Sequence, residues 1–247
     1  MLLLHGQPGS AADWTQVVAA LGNEAHTIAI DRPGWDGSSR ATDLPGNAEA
    51  AVEALDHQRV DRATVVGHSL GAGVAAWIAV HFPERVHALV LAAPAANMAS
   101  LTHVDQFLAT PPAGPLVSSG VLAGAGAALR FGPFRRSLVR RLSLDDRQLL
   151  SLGRQLAWPA AWRAFTIEQR ALVGQLPQLD AELGRIAVPT VIVAGAHDRI
   201  VPAAAARALA TQIPGAELVL LAGAGHLLPH RHGERLAAII EEIDKRT

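Results

Sequence analysis

A serine lies between two glycines in the run Gly67 to Gly71, which reads G-H-S-L-G. The β-branched run Thr64 to Val66 predicts a buried strand before it, and the small apolar residues Leu70 to Val80 predict a helix after it. A sharp turn from strand to helix leaves no room for a Cβ atom beside its central residue, so glycines are needed there. The turn presents the Ser69 hydroxyl at the positive end of the helix, where the Leu70 N–H can face a developing oxyanion. Ser69 is therefore the candidate nucleophile.

A serine hydroxyl becomes a strong nucleophile when a base removes its proton and a third group orients that base. His226 and Asp198 each follow a predicted strand in the second half of the chain. The carboxyl ends of parallel strands meet at one edge of a sheet, and Ser69 also emerges there. His226 is therefore the candidate base, and Asp198 is the candidate residue that orients it.

The elements that must position these residues alternate between strands and helices. Predicted strands cover Leu2–Leu4, Thr27–Ile30, Thr64–Val66, Val86–Ala93, Pro189–Ala194 and Glu217–Leu221, with helical patterns between them. Helices are predicted from Trp14 to Leu21 and from Ala48 to His57, and an amphipathic helix closes the chain. This alternation predicts an α/β fold with a mostly parallel sheet flanked by helices.

The segment 97–185 contains no strand pattern, and its prolines and helical patches predict an inserted helical cap. The expected division is therefore a core made of residues 1–96 and 186–247 and a cap made of residues 97–185. The apolar stretch Pro115 to Leu129 has two interpretations, as a core helix of the cap or as a lid over a hydrophobic substrate.

Composition narrows the classes of function. The 247 residues are 50% hydrophobic and carry a formal net charge of -1, so nothing in the overall charge predicts binding to nucleic acid or to an anionic membrane. The sequence has no clean run of 18 apolar residues, so integral membrane association is not predicted. Cysteine is absent. The N-terminus lacks the pattern of a signal peptide, so a cytoplasmic location is expected. His230 and His232 have no third ligand at a suitable spacing, so no metal site is predicted.

Five motifs occur in one order along the chain: the strand followed by His5-Gly6, D-R-P-G-W-D-G-S from Asp31, G-H-S-L-G, G-A-H-D-R-I-V-P from Gly195, and G-A-G-H ending at His226. On these motifs the chain resembles the α/β-hydrolase fold superfamily, in its capped branch with a serine nucleophile. The resemblance implies that the Gln7 N–H is the second oxyanion donor beside that of Leu70. It also implies that Asp31 belongs to a structural turn beneath the site.

The chain departs from this family at its start, because no pattern of the usual first two antiparallel strands precedes the strand Leu2–Leu4. Their absence would leave the strand Thr27 to Ile30 at an edge of the sheet. Two explanations are a start codon assigned too late and a trimmed form. A homodimer joined through this edge is an alternative hypothesis.

The predicted function is that of a cofactor-free serine hydrolase, carboxylesterase-like, acting on a small and largely apolar acyl substrate. Candidate pocket residues are Trp35, His68, Ile200 and Leu227. His68 could also act as a second base, but its place next to Ser69 favours a residue buried beneath the turn. Hydrolysis of a carbon–carbon bond, lactone hydrolysis and cofactor-free perhydrolase chemistry use the same triad and remain open. A protein that binds a ligand without turnover is the alternative outside enzymes.

Overall fold

The computed structural model describes residues 1–142 and 145–246, and in this part of the chain one parallel sheet has six strands in the order β2-β1-β3-β4-β5-β6. The strands are β1 (Leu2–Leu4), β2 (Ile28–Ile30), β3 (Ala63–His68), β4 (Val86–Ala92), β5 (Thr190–Gly195) and β6 (Glu217–Leu221). All five strand pairs are parallel. The predicted α/β fold with a parallel sheet is confirmed, and each predicted strand is present with its ends moved by two residues at most.

The register of the sheet brings the carboxyl ends of its central strands level with one another. Leu4 of β1 pairs with Gly67 of β3, and His68 pairs with Ala92 of β4. On the other side of the sheet, the last residue of β5 pairs with Leu221, the last residue of β6. The loops that carry Gln7, Ser69, Asp198 and His226 therefore leave the same edge of the sheet.

The helices lie on both faces of the sheet and in the segment between β4 and β5. They are α1 (Thr15–Leu21), α2 (Leu44–His57), α3 (Leu70–His81), α4 (His103–Ala109), α5 (Ala113–Arg130), α6 (Gly132–Leu142), α7 (Asp146–Gln155), α8 (Pro159–Glu182), α9 (Ala203–Gln212), α10 (Leu228–Arg231) and α11 (Gly233–Asp244). Helices α1 and α11 cover one face of the sheet, while α2, α3 and α9 cover the other.

Local interactions explain where the first two helices differ from expectation. The Asp43 side chain accepts a hydrogen bond from the Gly46 N–H at 3.0 Å, and Pro45 occupies the first turn, so α2 begins at Leu44 rather than near Ala48. A short 3-10 helix, Ala11–Trp14, ends at the residue where the predicted helix begins, and α1 starts one residue later at Thr15.

Helices α4 to α8, here called the cap helices, occupy the segment in which no strand was predicted. Their residues Leu122, Leu129, Leu149 and Leu156 form an apolar cluster of their own. The division into a core and a separate cap stays a prediction.

Two surface features complete the fold. Among the residues that the structure describes, strand β2 lies at an edge of the sheet and pairs with β1 alone. Within the described ranges, no single helix is both long and apolar enough to span a membrane. Helices α4 and α5 meet that criterion only as a pair, bent by 101° where they join.

Candidate active site

Ser69 sits at a strained turn between β3 and α3. Its φ of 54° and ψ of -120° are uncommon for a residue with a side chain, and such strain is concentrated at functional sites. A Cβ on Gly67 would overlap the Gly71 carbonyl group, and a Cβ on Gly71 would overlap the Leu4 carbonyl oxygen. Both glycines are therefore required by close backbone packing, as the spacing of the motif predicts.

The structure brings Ser69, His226 and Asp198 into one hydrogen-bonded chain. The Nε2 atom of His226 lies 3.0 Å from Ser69 Oγ, and its Nδ1 atom lies 2.8 Å from Asp198 Oδ2. The other carboxylate oxygen of Asp198 accepts the N–H groups of Ile200 and Val201, at 2.8 and 3.0 Å. The Asp198 side chain is fully buried, so these bonds hold its carboxylate in one orientation.

Two backbone segments next to Ser69 carry the predicted oxyanion donors. Leu70 is the first residue of α3, so its N–H has no acceptor within the helix. Gln7 follows β1, and its side-chain amide donates to the Phe165 carbonyl of α8 at 2.7 Å. Gln7 and Leu70 line the same pocket as Ser69.

A buried ion pair supports the loop that carries Gln7. The Arg32 guanidinium contacts both carboxylate oxygens of Glu168 on α8, and the two side chains are 0% and 1% exposed. Arg32 also donates to the carbonyl groups of His5 and Gly6, at 3.0 and 2.9 Å. Burial raises the pKa of Glu168, and the Arg32 charge opposes that rise. This pair therefore ties a cap helix to the two residues that precede Gln7.

His68 lies beneath the turn and also reaches the site. Its Nε2 atom lies 2.9 Å from the His226 carbonyl oxygen, which can only accept, so Nε2 carries the hydrogen. Burial lowers the pKa of His68 to about 3, and the nearby His226 adds to this effect. A neutral His68 thus anchors the backbone of His226, and its ring lines a pocket next to Ser69. The position beneath the turn is the one that the sequence favours, and a role of His68 toward a substrate stays a prediction.

Two pockets meet at Ser69, and both are lined by Gln7, Ser69 and Ile200. The first, here called the α4 pocket, has a volume of about 420 Å³ and is bounded by Val104, Asp105 and Leu108 of α4 and by Phe165, Gln169 and Leu172 of α8. The second, here called the α7 pocket, has a volume of about 350 Å³ and includes Leu129 of α5, Gln148, Leu149 and Leu152 of α7, and Leu227. Both are large enough for part of a small organic substrate.

Helix α5 contains the apolar stretch from Pro115 to Leu129, which has two interpretations, as a core helix of the cap or as a lid over a substrate. Leu122 and Leu129 pack in the apolar cluster of the cap helices, as expected of a core helix. Leu129 also lines the α7 pocket, so this helix contributes one apolar wall next to Ser69.

Trp35, a predicted pocket residue, lines neither of the two pockets that meet at Ser69. Its indole N–H donates to Glu168 Oε2 at 2.9 Å, because a buried indole N–H needs an acceptor and Glu168 supplies one. The ring is 5% exposed and packs against Ala161 and Ala164 of α8. Trp35 lines a different cavity, which it shares with Trp158 and Arg154.

Several residues of the site escaped sequence analysis. Glu168 gave no signal, since it stands inside a helix with no motif around it. Asp13 was not considered as a site residue and His230 was considered only as a metal ligand, yet both line the α7 pocket with Gln148. In the described residues, no group of three or more His, Asp or Glu side chains is arranged to hold a metal ion.

Comparison with known proteins places this fold and site in a family. A family model described as alpha/beta hydrolase fold matches residues 1–232. The chain belongs to the α/β hydrolase fold family. This α/β hydrolase is 29% identical to an uncharacterized protein of Mycobacterium tuberculosis, over 98% of this chain and 74% of that protein. It is 26% identical to the 2-hydroxymuconate semialdehyde hydrolase of a Pseudomonas species, over 98% of this chain and 86% of the relative.

Solved structures agree with this assignment. A hydrolase from Pseudomonas aeruginosa has a TM-score of 0.65 and 25% identity to this α/β hydrolase, over 98% of this chain and 88% of the other. An enzyme that degrades N-acyl homoserine lactones has a TM-score of 0.65 and 22% identity, over 100% of this chain and 92% of the other. The second likeness is one of fold alone.

Proposed function

We propose that this protein is a serine hydrolase that cleaves a carboxylic ester or a related acyl compound through an acyl-enzyme. The observation that carries this proposal is the hydrogen-bonded chain from Ser69 through His226 to Asp198, which begins at a strained turn and borders two pockets. A ligand-binding protein without turnover has no need of all three side chains in this arrangement.

The proposed reaction begins with attack by Ser69 on the acyl carbon. With the Nδ1–H of His226 donated to Asp198, the Nε2 atom is free to accept the proton of the serine hydroxyl. Asp198 stabilises the imidazolium that forms, and the N–H groups of Gln7 and Leu70 bind the negative oxygen of the tetrahedral intermediate.

Collapse of that intermediate breaks the bond to the leaving group, which takes the proton from His226 and departs. Ser69 then carries the acyl group as an ester. A water molecule, deprotonated by His226, attacks this ester, and a second tetrahedral intermediate releases the carboxylic acid and regenerates the serine hydroxyl.

The two pockets support a small-molecule substrate with parts on either side of the reacting carbon. Apolar walls such as Leu108 and Leu172 in one pocket and Leu129 and Leu149 in the other favour largely apolar groups. We assign one pocket to the acyl group and the other to the leaving group.

Hydrolysis of a carbon–carbon bond is the second candidate function. It is favoured by the similarity, over 98% of the chain, to a protein named as a 2-hydroxymuconate semialdehyde hydrolase. Lactone and perhydrolase chemistry require the same three side chains and remain alternatives of lower support.

Hydrolysis of p-nitrophenyl esters of increasing acyl length tests the proposal, together with a fluorophosphonate label located by intact mass and peptide mapping. We expect turnover, labelling at Ser69, and a loss of roughly 10⁴-fold or more in kcat for Ser69→Ala. Ser151→Ala is the matched control, because Ser151 is an exposed serine on α7 outside both pockets and should leave activity unchanged.

Wild-type hydrolysis by Ser69→Ala would refute the mechanism. Labelling at Ser69 without hydrolysis of any ester would instead favour the carbon–carbon bond hydrolase, and this can be tested with a vinylogous 1,5-diketone. A folded protein with neither signal would favour the ligand-binding alternative.

A further inference from the structure

The α7 pocket combines apolar walls with a small group of polar side chains. Four leucines line it: Leu129, Leu149, Leu152 and Leu227. Asp13, Gln148 and His230 line the same pocket, and none of them belongs to the chain of hydrogen bonds at Ser69. A pocket meant only for an alkyl group gains nothing from three polar side chains in its wall.

Gln148 provides the clearest sign of a missing partner. Its Nε2 atom donates to the Ala12 carbonyl at 3.2 Å, and this bond fixes which way the amide faces. Its Oε1 atom is buried and has no hydrogen-bond partner among the described residues. Buried polar atoms are nearly always paired, so this oxygen needs a hydrogen-bond donor that the described residues do not supply.

Asp13 and His230 face each other without a direct hydrogen bond. The His230 Nε2 atom lies 3.7 Å from Asp13 Oδ1, beyond hydrogen-bond distance. The other oxygen of Asp13 accepts the Ser10 N–H at 3.2 Å. Burial raises the pKa of Asp13 to about 7, with a smaller contribution from Asp31.

His230 is also held in its neutral form, because burial lowers its pKa. A neutral imidazole has one donor and one acceptor nitrogen, and a carboxyl group of pKa about 7 offers both donor and acceptor atoms near neutral pH. The polar part of the pocket is thus suited to an uncharged group that can both donate and accept a hydrogen bond.

We propose that Asp13, Gln148 and His230 form a binding subsite for a hydroxyl group on the substrate, which donates its hydrogen to Gln148 Oε1. This inference rests on the proposed function and narrows it: the α7 pocket holds the acyl group, and the natural substrate carries an alcohol on its acyl chain. A carboxylate is disfavoured, because it has no hydrogen to donate to the Gln148 oxygen.

Paired substrates test this subsite. For each chain length from four to eight carbons, kcat/KM is measured for a p-nitrophenyl ester with a terminal hydroxyl and for the ester with a plain alkyl end. The same chains are compared on fluorophosphonates through the rate of Ser69 labelling, so the test does not depend on turnover. We expect the hydroxyl member to be preferred about tenfold at one chain length in both assays.

Gln148→Met removes the unpaired oxygen while keeping the length of the side chain, and it should reduce that preference to about one. Gln155→Met is the matched control. Gln155 lies on the same helix and also donates its Nε2 hydrogens to backbone carbonyls. It lines the separate cavity that Trp35 shares with Trp158, so the preference for the hydroxyl ester should persist in this variant.

The outcomes distinguish a failure of the subsite from a failure of the proposed function. Ser69 labelling with equal rates for hydroxyl and alkyl chains at every length would overturn the subsite and leave the serine hydrolase standing. A stronger preference for a terminal ammonium or carboxylate would also overturn the hydroxyl assignment. If a folded protein showed neither labelling nor hydrolysis, both proposals would fall.

Discussion

Replacing Glu168 by glutamine tests how much the buried ion pair contributes to stability. The substitution keeps the size of the side chain and leaves the Arg32 guanidinium, which is 0% exposed, without its counter-charge. Breaking a buried ion pair by removing one partner costs about 3–5 kcal/mol, because the remaining charge stays buried and uncompensated. For a chain of this length, that corresponds to a fall in Tm of about 6–20 °C.

The free energy of unfolding is measured by guanidinium denaturation, with Tm from calorimetry. The double variant Arg32→Met with Glu168→Leu should recover only part of the loss, since it removes both charges together but leaves the His5 and Gly6 carbonyls and the Trp35 N–H without these partners. Glu241→Gln is the control, because it removes one partner of the exposed pair with Lys245 and should change stability by less than about 1 kcal/mol.

The same substitution should also affect catalysis through the loop that carries Gln7. Arg32 donates to the carbonyl groups of His5 and Gly6, so a displaced guanidinium moves the Gln7 N–H relative to Ser69. We expect kcat to fall more than KM rises, since an oxyanion donor acts mainly in the transition state. A Glu168→Gln variant whose unfolding free energy changes by less than about 1 kcal/mol would refute the reasoning on the buried pair.

Two further predictions concern particular side chains. Gly71→Ala should prevent stable folding, because its Cβ would overlap the Leu4 carbonyl oxygen. Gly174→Ala, in an open position on α8, should instead raise the unfolding free energy by about 0.5–1 kcal/mol. Chemical denaturation of both variants checks this, and equal effects on the unfolding free energy would contradict it. Asp13 has its pKa raised to about 7, so its folded form binds a proton more tightly and its contribution to stability falls as pH rises from about 4 to about 7. Asp13→Asn should therefore gain Tm relative to wild type on going from pH 5 to pH 8.5, and a difference in Tm that is independent of pH would argue against this.

Much of the fold could be predicted because its signals are local. The run Thr64 to Val66 and the glycines around Ser69 define a strand, a tight turn and a helix within 18 residues, and the structure has all three. The ends of helices were less predictable: α2 begins at Leu44 because of the Asp43 cap, and that bond was not recognised beforehand.

The pocket was harder to predict than the chain of three side chains. Trp35 was expected to line it, but the direction of its ring is set by Glu168, which is 133 residues away. No local pattern marks such a partner, since Glu168 is one more charged residue in a long helix until the fold buries it.

The amino-acid sequence by itself determined the order of strands and helices, the strained position of Ser69 and the strand ends from which His226 and Asp198 emerge, because backbone sterics and apolar periodicity act over short stretches of chain. Only the tertiary structure decided that Glu168 pairs with Arg32, that Trp35 turns away from the site, and that Asp13, Gln148 and His230 share a pocket with Ser69. These depend on burial and on contacts between distant segments, and the desolvation that shifts a pKa or requires a hydrogen-bond partner exists only after the chain has folded.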